Sequence, residues 1–587
     1  MNELSKLRLC EERHLKTHDG VELFYRYWPT ISDKPKGAIA LFHRGHEHSG
    51  RLIHLPTEFE MQDYAFFALD ARGHGLSQGE CGFCPSLDAS VRDVQTFIDH
   101  IKSTHDIKEQ DIAVVAQSVG AVLVSTWVHD YAPKIRCMVL ASPAFKVKLY
   151  VPFARAMIKL KQAFSGKFLV NSYVKAKYLT HDPERIASFE DDMLITRPIS
   201  SNILLSLYEI AERVVGDAAA ITVPTQLLIS GSDWVVHHKP QHEFYERLGS
   251  YNKERHILKG FYHDTLGEKD RKLAIDKARD FIEQSFTDPI PRPDLTNAHM
   301  IGYTRTEADK LSTPLSLFSL RGLCWFITRL SLKLGGLLSD GVKLGQATGF
   351  DSGSTLDYIY RNQPKGITAI GKFIDSSYLN SIGWRGIRQR KVNIEEMIGN
   401  ASVLLSAQDK PIHIMDVASG HGRYILEAIS RMAEKPDSIL LRDYSELNVE
   451  QGSALIKEMG LEEIARFVKA DAFSPDSYLS ASLKPTLGVV SGLYELFPDN
   501  DLIRQSLEGF SNSIQEGGYL IYTGQPWHPQ LEMIARALTS HRQGAAWVMR
   551  RRTQEEMDQL VEAAGFEKIE QRIDKYGIFT VSLAQRK

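Results

Sequence analysis

The stretch Val114-Val115-Ala116-Gln117-Ser118-Val119-Gly120 constrains the fold more than any other in this chain. A β-branched run ends in a serine that has small residues two before and two after it, and the Ala/Val-rich run Ala121 to Trp127 follows. The pattern reads as a buried strand, a sharp turn and a helix. Small neighbours let the backbone turn tightly enough to lift the serine hydroxyl above the end of a sheet, the geometry of a nucleophile elbow. The usual G-x-S-x-G is A-x-S-x-G here, with Ala116 in the first glycine position.

The surrounding residues supply a sheet for such a turn. Val21 to Trp28 alternates, and buried-type runs follow at Ala38 to Phe42, Tyr64 to Leu69, Ile112 to Val115 and Cys137 to Leu140. Helical segments lie between them, so a mainly parallel sheet with helices on both faces is expected. Residues 144 to about 220 break this rhythm with apolar helical patterns interleaved with lysines, as an inserted cap above the serine would. Strand Thr225 to Ile229 then ends at Gly231-Ser232-Asp233, and His256-Ile257-Leu258 precedes Gly260-Phe261-Tyr262-His263-Asp264. An acid and a base thus each follow a strand. Serine is a weak nucleophile at neutral pH; His263 would take its proton and Asp233 would hold the imidazole in the right tautomer.

Together His43 to Arg51, Asp70 to Ser77, the turn at Ser118, Gly231 to Val236 and Gly260 to His263 resemble the monoacylglycerol lipase/lysophospholipase branch of the α/β-hydrolases. Sequence classifications group that branch with the S33-type serine aminopeptidases. The resemblance covers residues 10–285. It implies a lipid-like acyl-ester substrate, Ser118, Asp233 and His263 as catalytic triad, and the amides of Gly45 and Val119 as oxyanion donors. A glycine usually follows the histidine at position 43 in this branch; Arg44 stands there instead, either crowding the oxyanion hole or meeting an anionic head group. His46 and His74 are expected to structure loops, and Asp264 to be a solvated carboxylate. A peptidase or a small-molecule esterase stays open beside the lipase reading.

At 587 residues the chain exceeds one compact core, so further domains are expected. Its 43% hydrophobic and 24% charged residues are those of a globular protein, and a net charge of −3 gives no reason to expect nucleic acid. Five cysteines imply no disulfide framework. Cys81-Gly-Phe-Cys84 has no second pair to complete a metal site, and no metal is expected. Met1 to Arg13 is charged and lacks an apolar signal region, so a cytoplasmic location is expected.

Asp288-Pro289-Ile290-Pro291-Arg292-Pro293 reads as a boundary. Residues 286–348 are assigned as a linker with an amphipathic helical segment. Pro314 to Leu338 holds no acidic residue, and Arg321, Arg329 and Lys333 fall within about 120° of a helical wheel. Charges interrupt it too often for a membrane span, which needs roughly 20 apolar residues. A helix lying on the inner face of a membrane and one packed between domains both stay open.

Residues 349–587 carry a second α/β pattern. Strand Ile412 to Val417 enters Asp416-Val417-Ala418-Ser419-Gly420-His421-Gly422 ahead of a helix. Such a glycine turn lets a cofactor approach the backbone beside a helix N-terminus. Asp443 follows the next strand, where an acid can accept hydrogen bonds from ribose hydroxyls. NAD enzymes share these features. Asp471-Ala472-Phe473 after strand Phe467 to Ala470, and the closing hairpin Lys568 to Leu583, resemble class I methyltransferases with a Rossmann-like fold. The closer resemblance is to a bacterial methyltransferase domain fused to hydrolases of the kind above. It implies S-adenosylmethionine as cofactor, with Asp416, Gly420, Gly422, Asp443 and Asp471 as its contacts, and Ala418 replacing the first glycine of the usual motif. Tyr494, Glu495 and His528 are candidates to orient or deprotonate an acceptor, with loop packing as the alternative. Arg550-Arg551-Arg552 reads as a solvated face or a contact for an acidic head group. The expected protein is a serine hydrolase joined to a methyltransferase; a membrane-associated scaffold with one inactive domain is the rival from another class.

Overall fold

The computed structural model describes residues 8–32, 35–171, 174–479, 484–542 and 544–587. The chain divides into two compact units, Met1–Pro293 and Asp294–Lys587.

The first unit is built on an eight-stranded sheet. Its strands are β1 (Glu11–Lys16), β2 (Glu22–Trp28), β3 (Gly37–Phe42), β4 (Tyr64–Leu69), β5 (Ile112–Gln117) and β6 (Cys137–Ala141). After a pair of short cap strands, β7 (Leu169–Asn171) and β8 (Pro198–Ser200), come β9 (Thr225–Ser230) and β10 (Lys253–Leu258). The order is β1-β2-β4-β3-β5-β6-β9-β10. From β4 to β10 neighbours run parallel, and β1 and β2 are antiparallel. Strands β3, β4, β5, β6 and β9 are buried at every residue, as strands covered on both faces must be, hence the apolar runs that make up most of each. Ile39, Leu41, Phe66, Val115 and Val139 pack with Ala274, Ile275, Phe281 and Ile282 of helix Lys272–Thr287. The cap between β6 and β9 comprises helices Ala154–Ser165, Pro183–Asp191 and Ser201–Gly216 with the β7–β8 ribbon.

The second unit holds a seven-stranded sheet of β11 (His413–Val417), β12 (Ser438–Asp443), β13 (Ala465–Lys469), β14 (Leu487–Val490), β15 (Tyr519–Gly524), β16 (Phe566–Ile573) and β17 (Thr580–Arg586). Its order is β13-β12-β11-β14-β15-β17-β16, with β17 antiparallel to both neighbours. Apolar clusters cover the sheet; one includes Ile394, Ile398 and Leu405 of the long helix Ile382–Ser406, another Phe510 and Leu560.

A separate helical cluster packs Val342, Phe350, Ile359, Trp384 and Ile387 against Leu531, Ile534 and Phe579. Helices Tyr303–Ser312 and Leu320–Gly335 belong to this unit. In the latter, Trp325 donates to Glu532 and Arg329 to the Arg536 carbonyl, while Leu320, Leu323, Ile327, Leu330 and Leu334 stay exposed. Among the described residues, no helix is long and apolar enough to cross a membrane.

The Arg550-Arg551-Arg552 run is neither a solvated face nor a free anion site. All three residues are buried. Arg550 pairs with Glu556 and Asn500, Arg551 with Glu307, and Arg552 with Asn500 and the carbonyls of Tyr494 and Phe497. Planar guanidinium forks satisfy several acceptors at once, so they tie loops together from inside the unit.

Candidate active sites

The first site lies at the carboxyl ends of β3, β5, β9 and β10. Ser118 begins helix Val119–Tyr131 with φ 55° and ψ −114°, a left-handed conformation costly for a residue with a Cβ. The neighbours explain why it holds. A Cβ at position 120 would come 2.5 Å from the His43 carbonyl oxygen, so glycine is required two residues after the serine. Ala116, inside β5, is fully buried and in register with Phe42 and Leu140.

His263 Nδ1 lies 2.8 Å from Asp233 Oδ2, and its Nε2 lies 2.8 Å from Ser118 Oγ. A carboxylate can only accept, so the ring proton sits on Nδ1 and Nε2 accepts from the serine hydroxyl. The other Asp233 oxygen accepts the amides of Val235 and Val236 at 2.7 and 3.0 Å. Burial works to raise the Asp233 carboxyl, but His263 and these amides outweigh it and hold it below the ordinary carboxylate range. Gly45 presses on the elbow: a Cβ there would meet Val119 Cγ2 at 2.9 Å. Among the described residues neither the Gly45 nor the Val119 amide has a hydrogen-bond partner. A cavity of about 500 Å³ opens over Ser118, Gly45, Val119 and His263. Val147, Leu179, Ile195, Ile199, Leu204 and Leu207 give it apolar walls.

Arg44 lines this cavity, yet its guanidinium is engaged. It forks onto Glu47 and lies 3.5 Å from Asp264, all three buried. Asp264 is therefore not a solvated carboxylate: it also accepts from Gln117 at 3.0 Å and from Arg185 of the cap at 3.0 and 3.1 Å. Burial alone would raise its carboxyl; the Arg185 and Arg44 charges reverse that and hold it far below the usual range. Gln117, beside the nucleophile, bridges to the His263 carbonyl as well. Neither Gln117 nor Arg185 has a local signature in the sequence, since both roles depend on partners distant along the chain. His46 Nδ1 bonds the Thr196 carbonyl at 2.6 Å, joining the loop after β3 to the cap, and His74 Nδ1 lies 3.1 Å from the Arg72 carbonyl.

The second site lies at the carboxyl ends of β11, β12, β13 and β14. The turn after β11 has positive φ at Ala418 (57°), Gly420 (58°) and Gly422 (71°). Ala418 adopts it at a cost of roughly 1–2 kcal/mol that glycine would avoid. At Gly422 a Cβ would strike Leu441 at 2.5 Å; at Gly420 it would meet Gly353 at 3.4 Å. Asp443 draws the turn in, accepting Gly420 N at 2.9 Å, Ser445 N at 2.9 Å and Asn448 Nδ2 at 3.0 Å.

A cavity of about 690 Å³ is lined by Gly420, Gly422, Asp443, Asp471, Phe473 and Ser491 on the sheet side, with Ser352, Asp357 and Tyr360 opposite. Asp471 is exposed and accepts the Phe473 amide at 2.9 Å. Asp416 is placed otherwise than its expected cofactor role requires. It is wholly buried, absent from the cavity wall, and receives Tyr424 Oη at 2.7 Å on each oxygen. Burial pushes its carboxyl up to about 7. Tyr494 also turns away: it is buried with its hydroxyl 3.0 Å from Ser506 Oγ. Glu495 and His528 instead line a third, smaller cavity.

The family described as "Putative methyltransferase" matches residues 278–586, and the one described as "Serine aminopeptidase, S33" matches residues 33–270. Over 580 residues the chain is 53% identical to the uncharacterized protein YnbC of Escherichia coli K12, covering 99% of each. The monoacylglycerol lipase of Mycolicibacterium smegmatis is 26% identical over 265 residues, 45% of this chain and 93% of that one. The crystal structure of Paleococcus ferrophilus monoacylglycerol lipase matches 45% of this chain and 98% of its own, at 22% identity and a TM-score of 0.40.

Proposed function

Because this chain belongs to the methyltransferase family matched by its second half, and is a bifunctional enzyme that joins an esterase/lipase-type hydrolase domain to it, we propose a chemistry and residues for each half. Residues 10–285 form the hydrolase domain, with its cap at about 144–220, and 349–587 the methyltransferase domain. The hydrolase acts on a monoacylglycerol- or lysophospholipid-like ester. The observation that carries this is the Ser118–His263–Asp233 chain of hydrogen bonds opening into an apolar cavity.

Ser118 Oγ attacks the ester carbonyl while its proton passes to His263 Nε2; Asp233 stabilises the imidazolium. The carbonyl oxygen becomes an oxyanion facing the Gly45 and Val119 amides. His263 then protonates the leaving alcohol, and a water deprotonated by the same nitrogen releases the acid. Arg44 is neutralised by Glu47 and Asp264, so it stiffens the loop carrying Gly45 and does not serve as a head-group receptor. A chain-length series of p-nitrophenyl esters, run beside aminoacyl-p-nitroanilides, tests the substrate class. Turnover should rise from acetate towards octanoate and decanoate, with no anilide cleavage; faster anilide than ester cleavage would favour a peptidase.

The second cavity fits S-adenosylmethionine. The glycine turn leaves open a cradle that a Cβ at position 420 would narrow, beside a helix N-terminus. Asp443 would hold the ribose and Asp471 and Phe473 the adenine; when bound, the group supplies an electrophilic methyl carbon. Asp416 supports from behind, fixing Tyr424 and with it the helix that follows the turn.

We also place the enzyme in the cytoplasm with peripheral contact at the inner membrane face. The support is the exposed apolar face of helix Leu320–Gly335; Ile367, Ile370 and Phe373 are exposed as well. Apolar side chains on one helix face lend themselves to insertion at a lipid surface. Ile327→Glu with Leu330→Glu should cut co-sedimentation with anionic phospholipid vesicles at least fivefold. Unchanged sedimentation would remove this reading.

A further inference from the structure

The third cavity, about 300 Å³, lies wholly within the second unit and shares Asp351, Leu356, Gly492 and Leu496 with the cofactor cavity. A volume of this order is at the small end of ligand pockets, which run roughly 300–1,000 Å³. Its walls are mostly apolar and aromatic: Trp384, Trp547, Phe579, Ile387 and Met549 among them. Converging on it are Arg390, Glu495, Gln525 and His528, each less than a tenth exposed. Buried polar atoms without partners are rare, and each calls for a cause. Here Arg390 Nε, Glu495 Oε2 and Gln525 Nε2 all lack one.

The groups have distinct capacities. His528 Nδ1 accepts the Gln530 amide at 3.0 Å, so the neutral ring carries its proton on Nε2 and offers the cavity a donor. Burial depresses this imidazole to about 4, so it stays neutral through the physiological range. Asp351 is spent on Ser540 and His541. Glu495 Oε1 takes the Thr523 hydroxyl at 2.8 Å and lies 3.7 Å from Arg390, whereas Oε2 is buried without a partner. Glu495 also sits in the loop between Gly492 and Leu496, the residues common to both cavities. A proton acceptor and donors from Arg390, Gln525 and His528 therefore line one cavity, the acceptor within the segment that borders the cofactor cavity.

We propose that this cavity holds the methyl acceptor, that the acceptor is a small neutral phenol, and that Glu495 is its general base. The proposal rests on the methyltransferase reading above. Neutrality follows from charge: Arg390 and Glu495 already compensate one another, and a carboxylate or ammonium would add an unpaired buried charge. The phenol follows from acidity. A phenol, near 10, is about six units more acidic than an alkanol near water's 15.7, so a carboxylate takes its proton far more readily. In the step, the phenol O–H proton moves to Glu495 Oε2 and the oxygen forms a bond to the methyl carbon. The sulfonium–methyl bond breaks, its electron pair staying on sulfur, so an aryl methyl ether, a neutral thioether and a protonated Glu495 result.

The test uses the full-length protein and three probes of similar size: 4-propylphenol, its isomer 3-phenyl-1-propanol, and 4-propylbenzoate. Calorimetric titration without cofactor reads the cavity, and transfer of a radiolabelled methyl group reads the chemistry. The phenol should bind in the submillimolar range and become methylated. The alcohol should bind within tenfold of it without being methylated, and the benzoate should not bind. Trp384→Ala should weaken phenol binding at least tenfold. Glu495→Gln should keep phenol affinity within threefold and lose transfer by at least a hundredfold. No phenol binding, tighter binding of the benzoate, equal methylation of the alcohol, or undiminished transfer by Glu495→Gln would each overturn the proposal. S-adenosylhomocysteine is titrated separately: its failure to bind would sink the methyltransferase assignment of the site, while phenol binding to the wild type would still be read on its own.

Discussion

Replacing Ser118 by alanine should abolish both ester hydrolysis and labelling by a fluorophosphonate probe. The loss in turnover should be about 10⁴–10⁶-fold, the range expected when a nucleophile acting as a unit with its base is removed. His263→Ala should cost nearly as much, because Nε2, at 2.8 Å from the hydroxyl, is the proton acceptor within reach of it. Asp233→Asn should cost about 10⁴-fold, since an amide facing Nδ1 favours the wrong tautomer. These variants should bind S-adenosylmethionine as the parent does. The sheet around Ser118 and the sheet around Gly420 pack separate apolar clusters, so damage at one site has its own core to stop in. Full labelling of Ser118→Ala would dismiss the triad. A tenfold loss of cofactor affinity in the folded variant would mean that the sites are coupled.

Gly420→Val should reduce S-adenosylmethionine affinity by at least a hundredfold, as read by calorimetric titration. The residue sits at φ 58°, where a β-branched side chain is a genuine outlier, and its Cβ would project towards Gly353 across the cavity. Asp443→Ala should weaken binding by about 10–100-fold, from hydrogen bonds to a charged group worth roughly 1.5–3 kcal/mol. Part of that loss would come through the turn, because Asp443 also holds the Gly420 amide. Tight NADH binding with no S-adenosylmethionine binding would overturn the cofactor assignment.

Glu495 and Asp264 illustrate how much of each site could be read from the chain. The sequence marks Glu495 as a candidate to orient or deprotonate an acceptor, but does not separate it from Tyr494 and His528. What separates them is tertiary: the Tyr494 hydroxyl turns to Ser506, while Thr523 occupies one Glu495 oxygen beside a cavity built by residues from 332 to 579. From the sequence Asp264 is expected to be solvated, standing beside His263 in a loop. Arg185 and Arg44, 79 and 220 positions away in the chain, bury and pair it.

By itself the sequence determined what is local. Unbroken apolar runs specify buried parallel strands, small residues at fixed offsets specify the turns at Ser118 and Gly420, and the chain order specifies which strand end carries the serine, the acid and the histidine. These signals are legible because a period or a turn needs only neighbours a few residues apart. Tertiary structure alone decided the fate of charge. Arg44, Asp264, Asp416, Arg390 and the Arg550–Arg552 run are polar letters that look alike in one dimension, and each is buried here. A buried charge needs partners or gives up its ionisation, and packing decides which: Arg44 and Arg550 meet acids a few residues away as well as distant groups, whereas Asp416 meets a neutral tyrosine hydroxyl.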